Sequence, residues 1–219
     1  MRCYLKLSRN ERSLPFNYQQ YLTGAIHKWL GNNDEHGKLS LYSFSWIKNL
    51  QQTTTGFNLT ATSSFFFSAH EETLVRQLLK GVAADPAVCF GSQVTAVDIV
   101  SGRQFSSQEK LWVASPVFIK RKAINEKVKH FTYEHPESSQ YLTETLQKKL
   151  QVAGLDHTGV AVRFDDHFSG SKTKISTYRD IHNKVSICPV IINGSPEQIA
   201  FAWNVGLGNS TGIGYGALS

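Results

Sequence analysis

Cysteine is scarce: the 219 residues hold three, Cys3, Cys89 and Cys188, far apart and odd in number. No Cys-x-x-Cys pair occurs. Neither a disulfide framework nor a cysteine zinc site is expected, and a reducing cytoplasm suits such a chain. No apolar run approaches the ~18 residues of a membrane span, so no membrane is expected among its partners. The stretch Met1 to Leu7 lacks the apolar run and small-residue cleavage site of a secretion signal. It alternates polar and apolar residues and reads as a first strand. No carboxylate cluster of the kind that holds catalytic metals stands out, and neither metal nor cofactor is expected.

What is present is mildly basic, with a net charge of +6 that suits a polyanion. The charge is uneven. Residues 1–48 carry a net +4, 49–115 a net −1 and 116–184 a net +4, and Glu197 is the one charge beyond them. Two distant basic stretches can line one groove, or form two solvated faces.

Residues 2–8 read as a strand. Tyr18 to Leu30 has apolar residues at 18, 21, 22, 25, 26, 29 and 30, a helical spacing that ends at Gly31. Leu41–Ile47 and Phe57–Phe67 are strand-like, Thr73–Lys80 is helical and ended by Gly81, and Val88–Val100 is β-rich. Strand alternation would bury either Phe66 or its two neighbours Phe65 and Phe67, so this run reads as core packing. The order β-α-β-β-α-β is that of a ferredoxin-like (RRM-like) lobe. A second pass starts near Leu111. Leu111–Ile119 is strand-like, and Ser138–Val152 is helical with Leu142, Leu146, Leu150 and Ala153 on one stripe. Val160–Phe164, Lys172–Tyr178 and Val185–Ile192 read as strands, and Glu197–Asn204 as a helix after Pro196. The fold class expected is α+β: two tandem ferredoxin-like βαββαβ lobes, residues 1–112 and 113–219, with a C-terminal glycine-rich loop and a last strand.

That loop runs Val205-Gly-Leu-Gly-Asn-Ser-Thr-Gly-Ile-Gly-Tyr-Gly-Ala-Leu. Such glycine density lets backbone approach a ligand closely, and the N–H groups can cradle phosphates. A dinucleotide fingerprint needs a following helix, and a P-loop needs Gly-Lys-Ser/Thr; neither follows. A glycine-rich hairpin at a sheet edge is the competing reading.

A chain-terminal G-x-G-x(n)-G-x-G-x-G after a short helix resembles the signature loop of the CRISPR-associated repeat-processing endoribonucleases, the sixth Cas family. Three stretches agree with it in order. Pro15-Phe-Asn-Tyr-Gln-Gln-Tyr-Leu-Thr-Gly-Ala-Ile-His resembles the family's first helix. His36 followed by Leu41-Tyr-Ser-Phe-Ser resembles its histidine and following strand, and Ala114-Ser-Pro-Val the opening of its second lobe. The resemblance implies a metal-independent cut of precursor CRISPR RNA within its repeats. A ribose 2′-hydroxyl attacks the adjacent phosphate, leaving a cyclic phosphate and a 5′-hydroxyl. A CRISPR effector complex and a second copy of the chain are further candidate partners.

Histidine suits both proton roles in that reaction because its pKa lies near neutrality. The resemblance places His36 on the family's recurring catalytic histidine. His27, at the end of the first helix, falls where relatives carry tyrosine, histidine or another proton-handling group. The family's lysine aligns with Ser40 here, and Lys38 stands two residues away as its substitute, with Lys28 a further cation. For RNA binding the candidates are Lys120, Arg121, Lys122, Lys172, Lys174 and Arg179 on phosphates. The tail adds Gly206, Gly208, Asn209, Ser210, Gly212 and Gly214, and Tyr178 is a stacking candidate. The alternative function is a non-catalytic RNA-binding subunit of the same superfamily.

Overall fold

The computed structural model describes residues 1–31, 39–100, 102–122 and 128–219. The first half holds strands β1 (Arg2–Leu7), β2 (Tyr42–Phe44), β3 (Lys48–Gln52), β4 (Phe57–Ala69) and β5 (Val94–Val100). Helices α1 (Gln19–Leu30) and α2 (Glu72–Ala84) are threaded between them. The antiparallel sheet runs β2-β4-β1-β5, with β3 added to the far part of β4. Strand β1 sits between its partners because Cys3, Leu5 and Leu7 send every second side chain into one core. Leu22, Ile26 and Trp29 of α1 and Val75 and Leu78 of α2 cover that face.

Three local expectations change. Phe65 and Phe67 join the helix-covered core, as alternation requires, yet Phe66 is buried as well. It is covered from the other face by Arg2, whose guanidinium lies 3.7 Å from the Phe66 ring centre and 3.3 Å from that of Trp203. Strand β3 carries no apolar alternation, so its sequence does not announce it. It forms because the 13-residue β4 offers it an edge. Helix α2 does not stop at Gly81 but continues to Ala84. Gly81 is a packing residue: a Cβ there would lie 2.3 Å from the Trp29 carbonyl oxygen and 2.5 Å from its Cα.

The second half holds β6 (Gln108–Leu111), β7 (Ile119–Lys122), β8 (Val128–Phe131), β9 (Ala161–Phe164), β10 (Lys172–Tyr178), β11 (Ile181–Ile187) and β12 (Val190–Asn193). Its helices are α3 (Ser138–Val152) and α4 (Pro196–Val205). Strands β6-β12-β9 form one antiparallel sheet, and β7-β8 and β10-β11 form hairpins. Leu142, Leu146 and Leu150 of α3 pack with Val162, Val190 and Ile192 in a second core. Helix α4 starts as its sequence dictates, with Pro196 in the first turn and a reciprocal capping box between Ser195 and Gln198. Gln108–Leu111 pairs with β12, so these residues sheet with the second half although they precede the expected 112/113 division.

Leu111–Ile119 is not one strand. Val113 bridges Leu218 and Val117 bridges Ser186, on either side of Pro116, which has no N–H for a ladder. The expected last strand is also absent. The tail instead makes a 3-10 turn at Thr211–Ile213 and pairs with residues 112–115 through isolated backbone hydrogen bonds. No helix among the described residues is long and apolar enough to cross a membrane.

Gly81→Ala separates two opposed effects. Helix propensity alone favours alanine by about 1 kcal/mol, whereas the clash with Trp29 backbone costs about 1–3 kcal/mol or more. Net destabilisation is expected in guanidinium unfolding at 25 °C. Equal or greater stability would show that the α1–α2 packing yields.

Candidate functional site

The glycine-rich segment threads between the two halves and is almost wholly buried from Gly206 to Leu218. Gly206, Gly208, Gly214 and Gly216 hold positive φ, as does Ser210. Gly216 has φ +68, and a Cβ there would sit 1.9 Å from the Leu207 carbonyl oxygen, so the crossing of residues 207 and 216 requires glycine.

Three of the tail's carbonyls, those of Gly212, Ile213 and Gly214, face side chains of α1 and of the Tyr42–Trp46 stretch. Gln19 Nε2 donates to the Ile213 oxygen at 2.6 Å, and the Thr23 hydroxyl, 3.3 Å from that oxygen, donates at 2.9 Å to the Gln19 carbonyl. Trp46 Nε1 donates to the Gly214 oxygen at 2.8 Å. His27 Nε2 lies 3.2 Å from the Gly212 oxygen and 3.3 Å from the Tyr42 hydroxyl, which is itself 3.4 Å from that carbonyl. A carbonyl can only accept, so this contact is a hydrogen bond in the tautomer that carries the proton on Nε2. Gln19, Thr23 and His27 are spaced by four and share one face of α1. The sequence motifs single out His27 alone, and the i, i+4, i+8 polar row is the signal for the other two. Tyr42 lies in the strand motif Leu41-Tyr-Ser-Phe-Ser, where nothing in the pattern gives it a role.

The amides behave differently from expectation. Those of Gly206, Leu207, Asn209, Ile213, Gly214 and Gly216 donate to Ala202, Gly216, Phe118, Ser210, Thr211 and Pro116 oxygens within the protein. These amides are already engaged, which removes the physical basis for a phosphate cradle at Gly206 and Gly214. Gly208 and Gly212 are buried, and Asn209 and Ser210 are half-buried. The Asn209 side-chain oxygen accepts from the Lys120 backbone N–H at 2.8 Å.

Lys149 belongs to none of the sequence motifs. It is 1% exposed and its ammonium reaches Val205 O at 3.1 Å, Gly206 O at 3.2 Å and Thr211 Oγ1 at 3.0 Å. Burial pushes its pKa down to about 7. The three oxygens and the negative end of the α4 dipole pull the other way and favour the charge.

The remaining candidates separate. Lys120 and Lys122 are exposed, with Lys120 5.9 Å from the Phe118 ring. Arg121 is turned onto α3, donating to Tyr141 O at 2.8 Å and Thr145 Oγ1 at 3.1 Å. On the β10–β11 hairpin, Lys172, Lys174 and Arg179 are exposed. Arg179 sits at the tip and lies 5.7 Å from the Tyr178 ring. Lys174 lies 5.0 Å from the Trp46 ring, and burial, then Lys172, hold its pKa below the usual lysine range. A cleft of about 160 Å³ opens beside them, lined by Phe16, Trp46, Lys174 and Ile175 among others. Ser176 donates to Gln19 Oε1 at 3.2 Å, so this hairpin reaches α1 and, through Gln19, the tail. Lys28 faces away, bonded to Asp85 at 2.8 Å. His36 and Lys38 lie outside the described residues. Among the described residues no three His, Cys, Asp or Glu side chains converge to hold a metal ion. Asp165, next to Asp166 and His167, is paired with Lys110 at 2.5 Å.

The fold has known counterparts. A structure from Pyrococcus furiosus described as a Cas6-related gene product superposes with a TM-score of 0.85 at 18% identity, covering 100% of this chain and 97% of that one. One described as a RAMP protein binding different RNA substrates gives 0.84 at 19% identity, covering 100% and 98%. Thermus thermophilus Cse3, bound to an RNA representing a pre-cleavage complex, gives 0.53 at 12% identity, covering 100% and 97%. These likenesses agree with the α+β, double ferredoxin-like architecture expected. No curated protein matches the chain. The family model for the C-terminal part of CRISPR associated protein Cas6 matches residues 101–219, more than half of the chain. On that match, the chain belongs to the CRISPR-associated Cas6 family.

Proposed function

We propose that this protein binds CRISPR repeat RNA and cuts it without a metal ion. In the reaction a ribose 2′-hydroxyl loses its proton and forms a bond to the adjacent phosphorus. The P–O5′ bond breaks, and the departing oxygen takes a proton. The products are a cyclic phosphate and a 5′-hydroxyl. The observation that carries the reading is the setting of His27, half-buried where α1, β2 and the tail meet, with its ring held by the Gly212 carbonyl and Tyr42. A histidine fixed in one tautomer has a defined donor and a defined acceptor nitrogen, which proton transfer needs. His36 is proposed as the second proton carrier and Lys38 as the cation that steadies the phosphorane. Both lie on the segment joining α1 to β2.

RNA binding is supported by two of the similar structures, one described as binding different RNA substrates and one as holding a pre-cleavage RNA. We assign the RNA path to the cleft beside Trp46 and to the exposed lysines of β10, with Lys120 and Lys122 on the neighbouring hairpin. An aromatic ring with a lysine over it suits an unpaired base and its phosphate.

Two outcomes are expected. With a cognate repeat RNA, cleavage survives EDTA, and His27→Ala and His36→Ala each lower the rate by about 10²–10⁴ with RNA still bound. Cleavage abolished by EDTA would replace this mechanism with a metal-dependent one. Binding without any cleavage would leave a non-catalytic RNA-binding subunit. Separately, Lys172→Ala with Lys174→Ala should weaken binding in filter or fluorescence titrations. The slope of log affinity against log salt should become shallower by roughly 0.7 for each phosphate deprived of its lysine. An unchanged slope would remove these lysines from the interface.

A further inference from the structure

Helix α3 carries a charge into the interior at a position where a leucine would pack. Lys149 lies seven residues after Leu142 and between Leu146 and Leu150, all of them core. Burying an ammonium is costly unless directional bonds meet it. Here all three of its donors have an oxygen, at 3.0 to 3.2 Å. Those oxygens bracket the tail. Val205 and Gly206 offer carbonyls at the end of α4, where a helix leaves such groups unpaired, and Thr211 opens the 3-10 turn. One nitrogen therefore closes the loop from 206 to 211. The carbonyl immediately beyond that closure is Gly212, the one that faces His27 Nε2 and the Tyr42 hydroxyl.

We infer that Lys149 is a positioning residue for His27, fixing the Thr211–Ile213 turn so that the Gly212 carbonyl receives the Nε2 proton of the ring. This rests on the reading of His27 as a proton carrier in cleavage. The link is mechanical as well as electrostatic. The ammonium holds one side of the turn while the Gln19 amide holds the Ile213 oxygen on the other. Released from Lys149, the turn shifts, the carbonyl leaves the ring, and neutral His27 divides between its two tautomers. A displacement near 1 Å at a reacting group costs up to about 10²-fold in rate.

The experiment pairs single-turnover cleavage of repeat RNA with 15N NMR of the His27 ring, recorded at a pH where the ring is neutral and assigned from the spectrum of His27→Gln. In the natural protein the Nε2–H tautomer should dominate. In Lys149→Met it should give way to a mixture, with the cleavage rate down by roughly 10- to 100-fold and RNA affinity changed less than about threefold. A folded Lys149→Met protein with the natural ring spectrum and rate overturns the inference. Should Lys149→Met fail to fold, Thr211→Val removes one acceptor and leaves the ammonium two others. It should move the ring spectrum in the same direction by less, and an unmoved spectrum again overturns the inference. If His27→Ala cleaves at the natural rate, the reading of His27 as a proton carrier fails. The ring spectra of the Lys149 variant still decide whether the turn is positioned by that lysine.

Discussion

A buried ammonium surrounded by three backbone and hydroxyl oxygens is a demanding arrangement, and much of this molecule is organised around meeting it. Lys149 can be inside only if α4 ends where its last carbonyls point at α3 and the tail turns back to bring Thr211 to the same nitrogen. Once the tail has turned back it lies against α1, and its carbonyls must find donors there or be buried without partners. Gln19, His27, Tyr42 and Trp46 supply them. This strip of polypeptide joins the two halves, held by a charge on one side and by a polar helix face on the other. Ser43 and Ser68 add a second tie, both donating to the Asn204 oxygen near the end of α4.

The positions easiest to read in the sequence are those where local pattern and tertiary structure agree. Helices α1 and α3 stand where their apolar spacing puts them, and Pro196 opens α4. Where they disagree, a distant contact decides. Gly81 has the chemistry of a stop signal, but Trp29 packs on it so closely that only glycine fits, and the helix runs on. Lys48–Gln52 is almost wholly polar and carries no strand periodicity, yet β4 supplies it a partner. Leu111–Ile119 has strand composition, but Pro116 and the returning tail divide it.

The candidate site is legible in the same partial way. His27 can be picked out by its place in a helix of familiar pattern. The density of glycine marks the tail, but composition does not say which way its peptide groups face. The backbone turns so that the Gly212 and Ile213 carbonyls face α1, while the amides of Gly206, Leu207, Asn209, Ile213, Gly214 and Gly216 are taken up internally. Lys149 is hidden by its neighbour: Lys148-Lys149 reads as a solvated pair, and only the sevenfold spacing from Leu142 tells that the second faces inward. The basic residues divide for a related reason. Lys120 and Lys122 point outward from β7, whereas Arg121 between them reaches α3.

The Arg2 guanidinium lies between Phe66 and Trp203 and donates to the Trp203 oxygen at 2.6 Å, joining groups 201 positions apart in sequence. Strand β1 can pair with β4 and β5 early in synthesis, but its first side chains keep an open face until α4 has been made. The tail behind α4 emerges later still, and with it the Gly212 carbonyl that faces His27. The first half of the chain is therefore made well before the carbonyl that faces His27. Contacts so distant in sequence close very long loops and are slow to form.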